Sequence, residues 1–292
     1  MNVRIVEVGP RDGLQNEKQP IPTDVKVALV DALSEAGYEE IEVSAFVSPK
    51  WVPQLADASE VFARIRRRPG VVYSALVPNE QGLDRALEAR VGKVAVFTAA
   101  SETFNQKNIN ATIEESIARF APVVPRALAA GVRVRGYIST AFFCPYEGTI
   151  EPAAVVAVAK RLLDLGVEEL SIGDTIGKAT VGEVDALLDR LLDAAPQEQI
   201  ALHFHDTYGR AVANALAAYE RGITTFDASV GGVGGCPYAP GAAGNVATED
   251  LALAFQRSGA PLSLDLAKVS AASDLLASAL GRRLRPPASA SK

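Results

Sequence analysis

Both histidines of this 292-residue chain fall in one tripeptide, His203-Phe204-His205. On a strand, residues two apart face the same side. Two imidazoles side by side are either a hydrogen-bonded core pair or metal ligands. Four further groups could share chemistry with them: Arg11-Asp12, Glu42, Asp174 and the Cys236–Asn245 segment. A carboxylate and a carboxamide oxygen added to two ring nitrogens make a mixed set. That set suits an open octahedral cation such as Mg²⁺ or Mn²⁺. No Cys-x-x-Cys pattern supports a structural zinc.

The elements that must position these groups are legible as alternation. Strand-like runs are expected at 3–8, 39–43, 71–76, 93–97, 132–138, 168–172, 200–205 and 225–230, with amphipathic helical patterns between them. Thr112-x-x-Glu115 and Thr180-x-x-Glu183 read as capping boxes, and Pro152 suits a first helical turn. Gly37, Gly131, Gly166 and Gly222 each follow a helix and precede a strand. Segments 37–44 and 166–173 resemble each other, a weak sign of a repeated half. Eight strands alternating with helices is the count of a TIM (β/α)8 barrel, an α/β fold; a doubly wound sheet is the rival. No linker divides the chain. One domain is therefore expected over residues 1–284, with extra C-terminal helix after the eighth unit and a disordered Pro/Ser/Ala-rich tail at 285–292.

Barrel strands are covered on both faces, so their polar residues need partners or a purpose. Arg11-Asp12 follows the first expected strand, Glu42 ends the second, Asp174 follows the sixth, the histidines end the seventh, and Cys236 and Asn245 follow the eighth. All lie at strand C-termini, where this fold carries its active sites. The concentration favours metal binding by Asp12, His203, His205 and Asn245 over a plain core pair. The glycine-rich segment 231–245 matches no phosphate cradle; it fits a mobile lid carrying Cys236. A thiol near a metal and Arg11 suits proton transfer, against the blander reading of an inert cysteine. Cys144, in an aromatic stretch, is read as structural, with a place in the site's lining as the alternative. Tyr208 and Asn214 are read as caps or packing, and Trp51 as either part of a lid or a loop anchor.

The totals exclude several classes. With 48% hydrophobic and 22% charged residues the chain is a globular protein, not a disordered or disulfide-built one. A net charge of −6 argues against nucleic-acid or anionic-membrane partners. The basic run at Arg64 and Arg66–Arg68 sits at an expected helix end, where cations suit the dipole. No apolar stretch approaches a membrane span. Two cysteines and no targeting pattern at the N-terminus point to the cytoplasm.

Several segments together resemble the 3-hydroxy-3-methylglutaryl-CoA lyase family. Residues 6–17 (VEVGPRDGLQNE) look like its first-strand signature, and 46–54 (FVSPKWVPQ) like its second loop. Residues 203–209 (HFHDTYG) match its metal motif, and 234–250 (GGCPYAPGAAGNVATED) its cysteine loop. The Arg-Asp and His-x-His elements alone indicate only a wider superfamily of metal-dependent aldolase and Claisen-type barrels; the cysteine loop is more specific. Ala243 stands where the family often has serine, and no third cysteine lies near the C-terminus for a regulatory disulfide.

The resemblance implies cleavage of an acyl-CoA, 3-hydroxy-3-methylglutaryl-CoA, to acetyl-CoA and acetoacetate, a retro-Claisen reaction of leucine degradation and ketone-body supply. A divalent cation held by Asp12, His203, His205 and Asn245 would chelate the C3 hydroxyl and the carboxylate of the substrate. His203 or Asp12 would remove the hydroxyl proton, and Arg11 would bind substrate and stabilise the enolate oxygen. Cys236 would protonate the enolate, while Glu42 and Asp174 would orient or neutralise the cationic centre. A homodimer is implied in the same way. A related aldolase, a condensing enzyme of the same superfamily and a non-catalytic barrel are the alternatives.

Overall fold

The apolar run at the N-terminus extends as strand β1, Arg4–Glu7. The computed structural model describes residues 1–234 and 244–284. Strands β2 (Glu40–Ala45), β3 (Val72–Leu76), β4 (Lys93–Ala99) and β5 (Arg133–Ser139) follow. A short antiparallel ribbon of β6 (Phe143–Cys144) and β7 (Gly148–Thr149) interrupts the series. It resumes with β8 (Glu169–Asp174), β9 (Ile200–Phe204) and β10 (Thr225–Ala228). The eight long strands pair in parallel and close into a barrel, in the order β1-β10-β9-β8-β5-β4-β3-β2. The expected TIM barrel is present and the doubly wound sheet is excluded.

Helices cover the outside: α1 (Thr23–Ser34), α2 (Ala58–Arg64), α3 (Glu80–Glu88), α4 (Glu102–Ile109), α5 (Ile113–Phe120), α6 (Val123–Ala129), α7 (Pro152–Asp164), α8 (Val181–Leu191), α9 (Ala211–Glu220), α10 (Thr248–Arg257) and α11 (Leu266–Leu280). The crossover from β4 to β5 is broken into α4, α5 and α6. Asn110, with φ of 49°, ends α4, and the capping box of Thr112 and Glu115 restarts the chain as α5. The second capping box, Thr180 with Glu183, opens α8. Gly37, Gly131, Gly166 and Gly222 all carry φ between 74° and 99°, as turns from helix to strand require. Helix α11 packs on α1 and α10, the extra covering helix expected after the eighth unit.

The main core is the ring between barrel and helices. Leu29 and Leu33 of α1, Leu162 of α7 and Leu187, Leu188 and Leu191 of α8 are buried there. Burial of each such side chain is worth about 1.5–3 kcal/mol. The barrel interior is different. Period-two alternation sends Glu40 and Glu42, Arg135 and Tyr137, Glu169 and Ser171, and Asp227 away from the helices, and all are buried.

Two differences from the expected elements matter. Val230 leaves the eighth strand for a helical turn, Val230–Gly232. His205 leaves the seventh and makes a lone antiparallel bridge to Asn245, pairing two candidate ligands through their backbones. The basic run stays at the surface. Arg64 pairs with Asp24 and Glu60, Arg66 with Asp31 and Arg68 with Glu35, while Arg67 donates to the carbonyls of Ala89 and Arg90. No helix of the described residues is long and apolar enough to cross a membrane.

Candidate active site

After β1 the chain makes a wide helical turn, Gly9–Gly13, in which the amides of Arg11, Asp12 and Gly13 converge on the carbonyl of Val8. The turn needs glycine. A Cβ on Gly9 would lie 2.6 Å from Glu7 Oε1, and one on Gly13 would lie 2.5 Å from Val233 Cγ2. The result presents Arg11 and Asp12 at the C-terminal mouth of the barrel.

Arg11 is 6% exposed and fixed on several sides. Its Nε donates to Glu42 Oε2 at 2.6 Å and its Nη1 to Asp12 Oδ1 at 2.6 Å. The guanidinium carbon lies 5.3 Å from the Tyr137 ring centre. Burial alone would weaken the cation, but Glu42 and Asp12 hold its pKa above the ordinary value. Tyr137 donates its hydroxyl to Glu42 Oε2 at 3.1 Å. Burial pushes the Glu42 carboxyl up, against the opposing pull of Arg11.

Asp12, His203 and His205 bring one ligand atom each to within 4.8 Å of one another. Asn245 joins them, its Nδ2 donating to Asp12 Oδ2 at 2.8 Å and to the Val233 carbonyl at 3.1 Å. Burial works against ionisation of Asp12, yet Arg11 and the two histidines outweigh it and hold the carboxyl at about 2. Burial and the neighbouring His203 push His205 down to about 4, so its ring is neutral at physiological pH. Among the described residues, Asn245 Oδ1 and His205 Nδ1 are buried without a hydrogen-bond partner. Orphaned polar atoms of this kind are costly unless something binds them. A divalent cation taking nitrogen and oxygen donors fits this set.

His203 differs from its neighbour. Its Nδ1 lies 3.2 Å from Asp227 Oδ2. Burial lowers its pKa, but the bond to Asp227 and the charges of Asp12 and Asp227 raise it overall. Sequence reading missed Asp227, Arg135 and Tyr137. The signal was there, as polar residues alternating along strands that are covered on both faces.

The structure does not bring the Asp174 carboxylate to this cluster. Asp174 turns back on its own loop, accepting from the amides of Lys178 and Ala179 at 3.1 and 2.9 Å. Burial pushes it up to about 6 against those bonds. Its backbone carbonyl accepts the His205 amide at 3.3 Å, so it steadies the loop beside a ligand. Cys236 lies outside the described residues, as does Ala243. Cys144 is buried, with Sγ 3.0 Å from Ser101 Oγ and accepting the Tyr146 amide at 3.4 Å, in keeping with a structural role. Asn214 is buried and donates to the Ala179 carbonyl at 2.9 Å, whereas Tyr208 is exposed. Trp51 is 82% exposed and walls a pocket of about 390 Å³ with Gln54 and the segment from Gln15 to Lys18. The pocket lies between the loops that follow β1 and β2.

A (β/α)8 barrel with clustered carboxylate, imidazole and guanidinium groups at its strand C-termini has the place and the donor set that an enzyme of this fold would use to hold a metal ion. Residues 2–276 match the HMGL-like family model. The chain belongs to the HMGL-like family. It is 57% identical over 249 residues to a Pseudomonas aeruginosa protein named 3-hydroxy-3-isohexenylglutaryl-CoA/hydroxy-methylglutaryl-CoA lyase, covering 85% of this chain and 83% of that one. It is 51% identical to the cytoplasmic 3-hydroxy-3-methylglutaryl-CoA lyase of Danio rerio, covering 96% and 84% of the two chains. A solved HMG-CoA lyase from Acinetobacter baumannii, in complex with coenzyme A and 3-methylmalate, superposes with a TM-score of 0.94. That pair is 39% identical, covering 100% of this chain and 95% of that chain.

Proposed function

We propose that this chain is a carbon–carbon lyase that cleaves 3-hydroxy-3-methylglutaryl-CoA to acetyl-CoA and acetoacetate. The observation that carries the reading is the convergence of Asp12, His203 and His205 within 4.8 Å, beside a fixed Arg11. Asp12, His203, His205 and Asn245 would hold the cation, read as Mg²⁺ or Mn²⁺. When bound, it supplies Lewis acidity that lowers the pKa of the C3 hydroxyl.

The chain's own residues supply the rest. His203 or Asp12 takes the hydroxyl proton; His203 can do so only with its Nε2 free of the cation, because its Nδ1 faces Asp227. As the C2–C3 bond breaks, its electron pair passes to the thioester, and the enolate oxygen gains charge. Arg11, held rigid by Glu42 and stacked on Tyr137, faces that charge without needing to reorganise. Cys236 then gives its proton to the enolate carbon, forming acetyl-CoA. Glu42 fixes the Arg11 fork, and Asp174 fixes the loop beside His205. The pocket between Lys18 and Trp51 is suited to the carrier arm of the thioester, with polar and apolar walls at the barrel mouth.

The reading extends to a single catalytic domain over residues 1–284, a homodimer and a cytoplasmic location, with no nucleic-acid or membrane partner. Acetoacetate as product suits leucine degradation and ketone-body supply. Chelation tests the core of it. EDTA should abolish acetoacetate formation, and Mg²⁺ or Mn²⁺ should restore it. Activity indifferent to chelation would remove the metal from the mechanism.

A further inference from the structure

Six charged side chains meet inside the barrel beneath the metal cluster, and the reaction described above uses none of them. Arg4 pairs with Glu40 and Glu169. Lys93 Nζ lies 2.5 Å from Glu40 Oε2 and 3.2 Å from Glu169 Oε1. Arg135 Nε lies 3.3 Å from Glu169 Oε1, and its Nη2 donates to Asp227 Oδ1 at 2.6 Å. The last contact crosses the barrel from β5 to β10, which are not neighbours. Layers of Val, Ile and Leu are the ordinary filling of this fold. Buried ion pairs cost several kcal/mol per ion in lost hydration, and apolar replacements are often as stable or more so. Stability is therefore a poor explanation for the network.

Its upper end offers a better one. Asp227 is fully buried, and its two oxygens have separate duties. Oδ1 is taken by Arg135. Oδ2 accepts Ser171 Oγ at 2.9 Å and meets His203 Nδ1 at 3.2 Å. A carboxylate acceptor at Nδ1 places the ring proton there and leaves Nε2 as the lone-pair nitrogen. His205 Nδ1, by contrast, has no partner among the described residues. Among the described residues, only His203 has a ring nitrogen held in this way.

We infer that Asp227, clamped by Arg135 and Ser171, is a positioning residue that fixes the tautomer and ring orientation of His203 for the metal and substrate. The inference rests on the metal reading above. Ligating histidines held this way lose about 10–100-fold in metal affinity when the carboxylate is removed.

The test uses tag-free full-length protein. With two histidines in the chain, its imidazole ¹H–¹⁵N spectrum contains two rings. In metal-free wild type at alkaline pH, one ring should be the Nδ1–H tautomer, and Asp227→Asn should convert it to Nε2–H or a mixture. Mn²⁺ binding, followed by the loss of the free-ion EPR signal, should weaken by about 10–100-fold in the same variant. Glu169→Gln, which touches the network but not His203, should lower thermal stability and leave both readouts alone. If Asp227→Asn fails to fold because Arg135 keeps only Glu169 as a carboxylate partner, the double variant Arg135→Met/Asp227→Asn removes both charges and is read in its place. An unchanged tautomer and unchanged Mn²⁺ affinity in a folded variant would overturn the inference, as would an equal loss in Glu169→Gln. If wild type itself binds no Mn²⁺, the metal reading fails, while the tautomer still reports on Asp227.

Discussion

Arg11 shows why residue type matters more than charge at this site. Its planar fork reaches Glu42 with one edge and Asp12 with another while its face lies over Tyr137. Lysine offers a point charge on a flexible stem and cannot make those contacts together. Arg11→Lys should fold and bind Mn²⁺ but lose about 10²–10³-fold in turnover, the usual scale for losing an oxyanion partner. Cys236→Ala should likewise keep fold and metal while losing most turnover. Steady-state kinetics beside an Mn²⁺ titration check both, and retained turnover would remove either residue from the mechanism. The histidines, Asp12, Asn245, Arg11 and Glu42 were legible because rare or reactive types gather where expected strands end. Asp227 and Arg135 were legible only as polar positions on covered strands, because a strand pattern does not say what lies across the barrel. Asp174 was legible as a position but not as a contact. Only the path of the loop after β8 shows its carboxylate turning to its own backbone amides.

At the scale of elements, the site depends on how β1 and β10 are tied together. Glu7 ends β1 with its Oε1 accepting the amides of Gly9 and Val230, and its Oε2 accepting the hydroxyls of Tyr38 and Thr248. One side chain thus joins the turn that carries Arg11 and Asp12 to the segment that leads toward Cys236. Burial outweighs those four donors and pushes Glu7 from 4.5 up to about 7; Glu249, which accepts the Gly231 amide nearby, is also pushed up by burial. Folded protein therefore keeps a proton on Glu7 that the unfolded chain has already released between pH 4.5 and about 7. Stability falls as pH rises through that window, at about 1.4 kcal/mol per pH unit for one proton. Glu7→Gln mimics the protonated acid. Wild type should lose about 3 kcal/mol relative to Glu7→Gln across that window, with no further divergence above it. Urea unfolding at a series of pH values measures the difference, and parallel curves would contradict the shift. Strand positions were readable from apolar alternation, and the capping boxes and helix-ending glycines from local chemistry. The splitting of the β4–β5 crossover into three helices was readable only in part: the Thr112–Glu115 box marked the start of α5, but Asn110 is a weaker helix stop than glycine and the break between α5 and α6 was not read.

For the whole molecule, closure of eight parallel strands gathers groups from the beginning, middle and end of the chain at one mouth. Asp12 and Asn245 are 233 residues apart in sequence yet share a hydrogen bond of 2.8 Å. That long-range juxtaposition explains why the barrel could be counted from the sequence while the polar network inside it could not. Counting needs only local periodicity, whereas the network depends on which strands face each other once the sheet closes. It also makes the proposed activity a property of the intact fold, with binding, proton transfer and charge stabilisation supplied by different strands. The most direct measurement is product formation from 3-hydroxy-3-methylglutaryl-CoA by the purified, metal-loaded chain, with acetyl-CoA and acetoacetate quantified separately. The account predicts that both products appear in equal amounts and that neither forms in the presence of EDTA. Consumption of the thioester without acetoacetate, or no consumption by folded, metal-loaded protein, would contradict it.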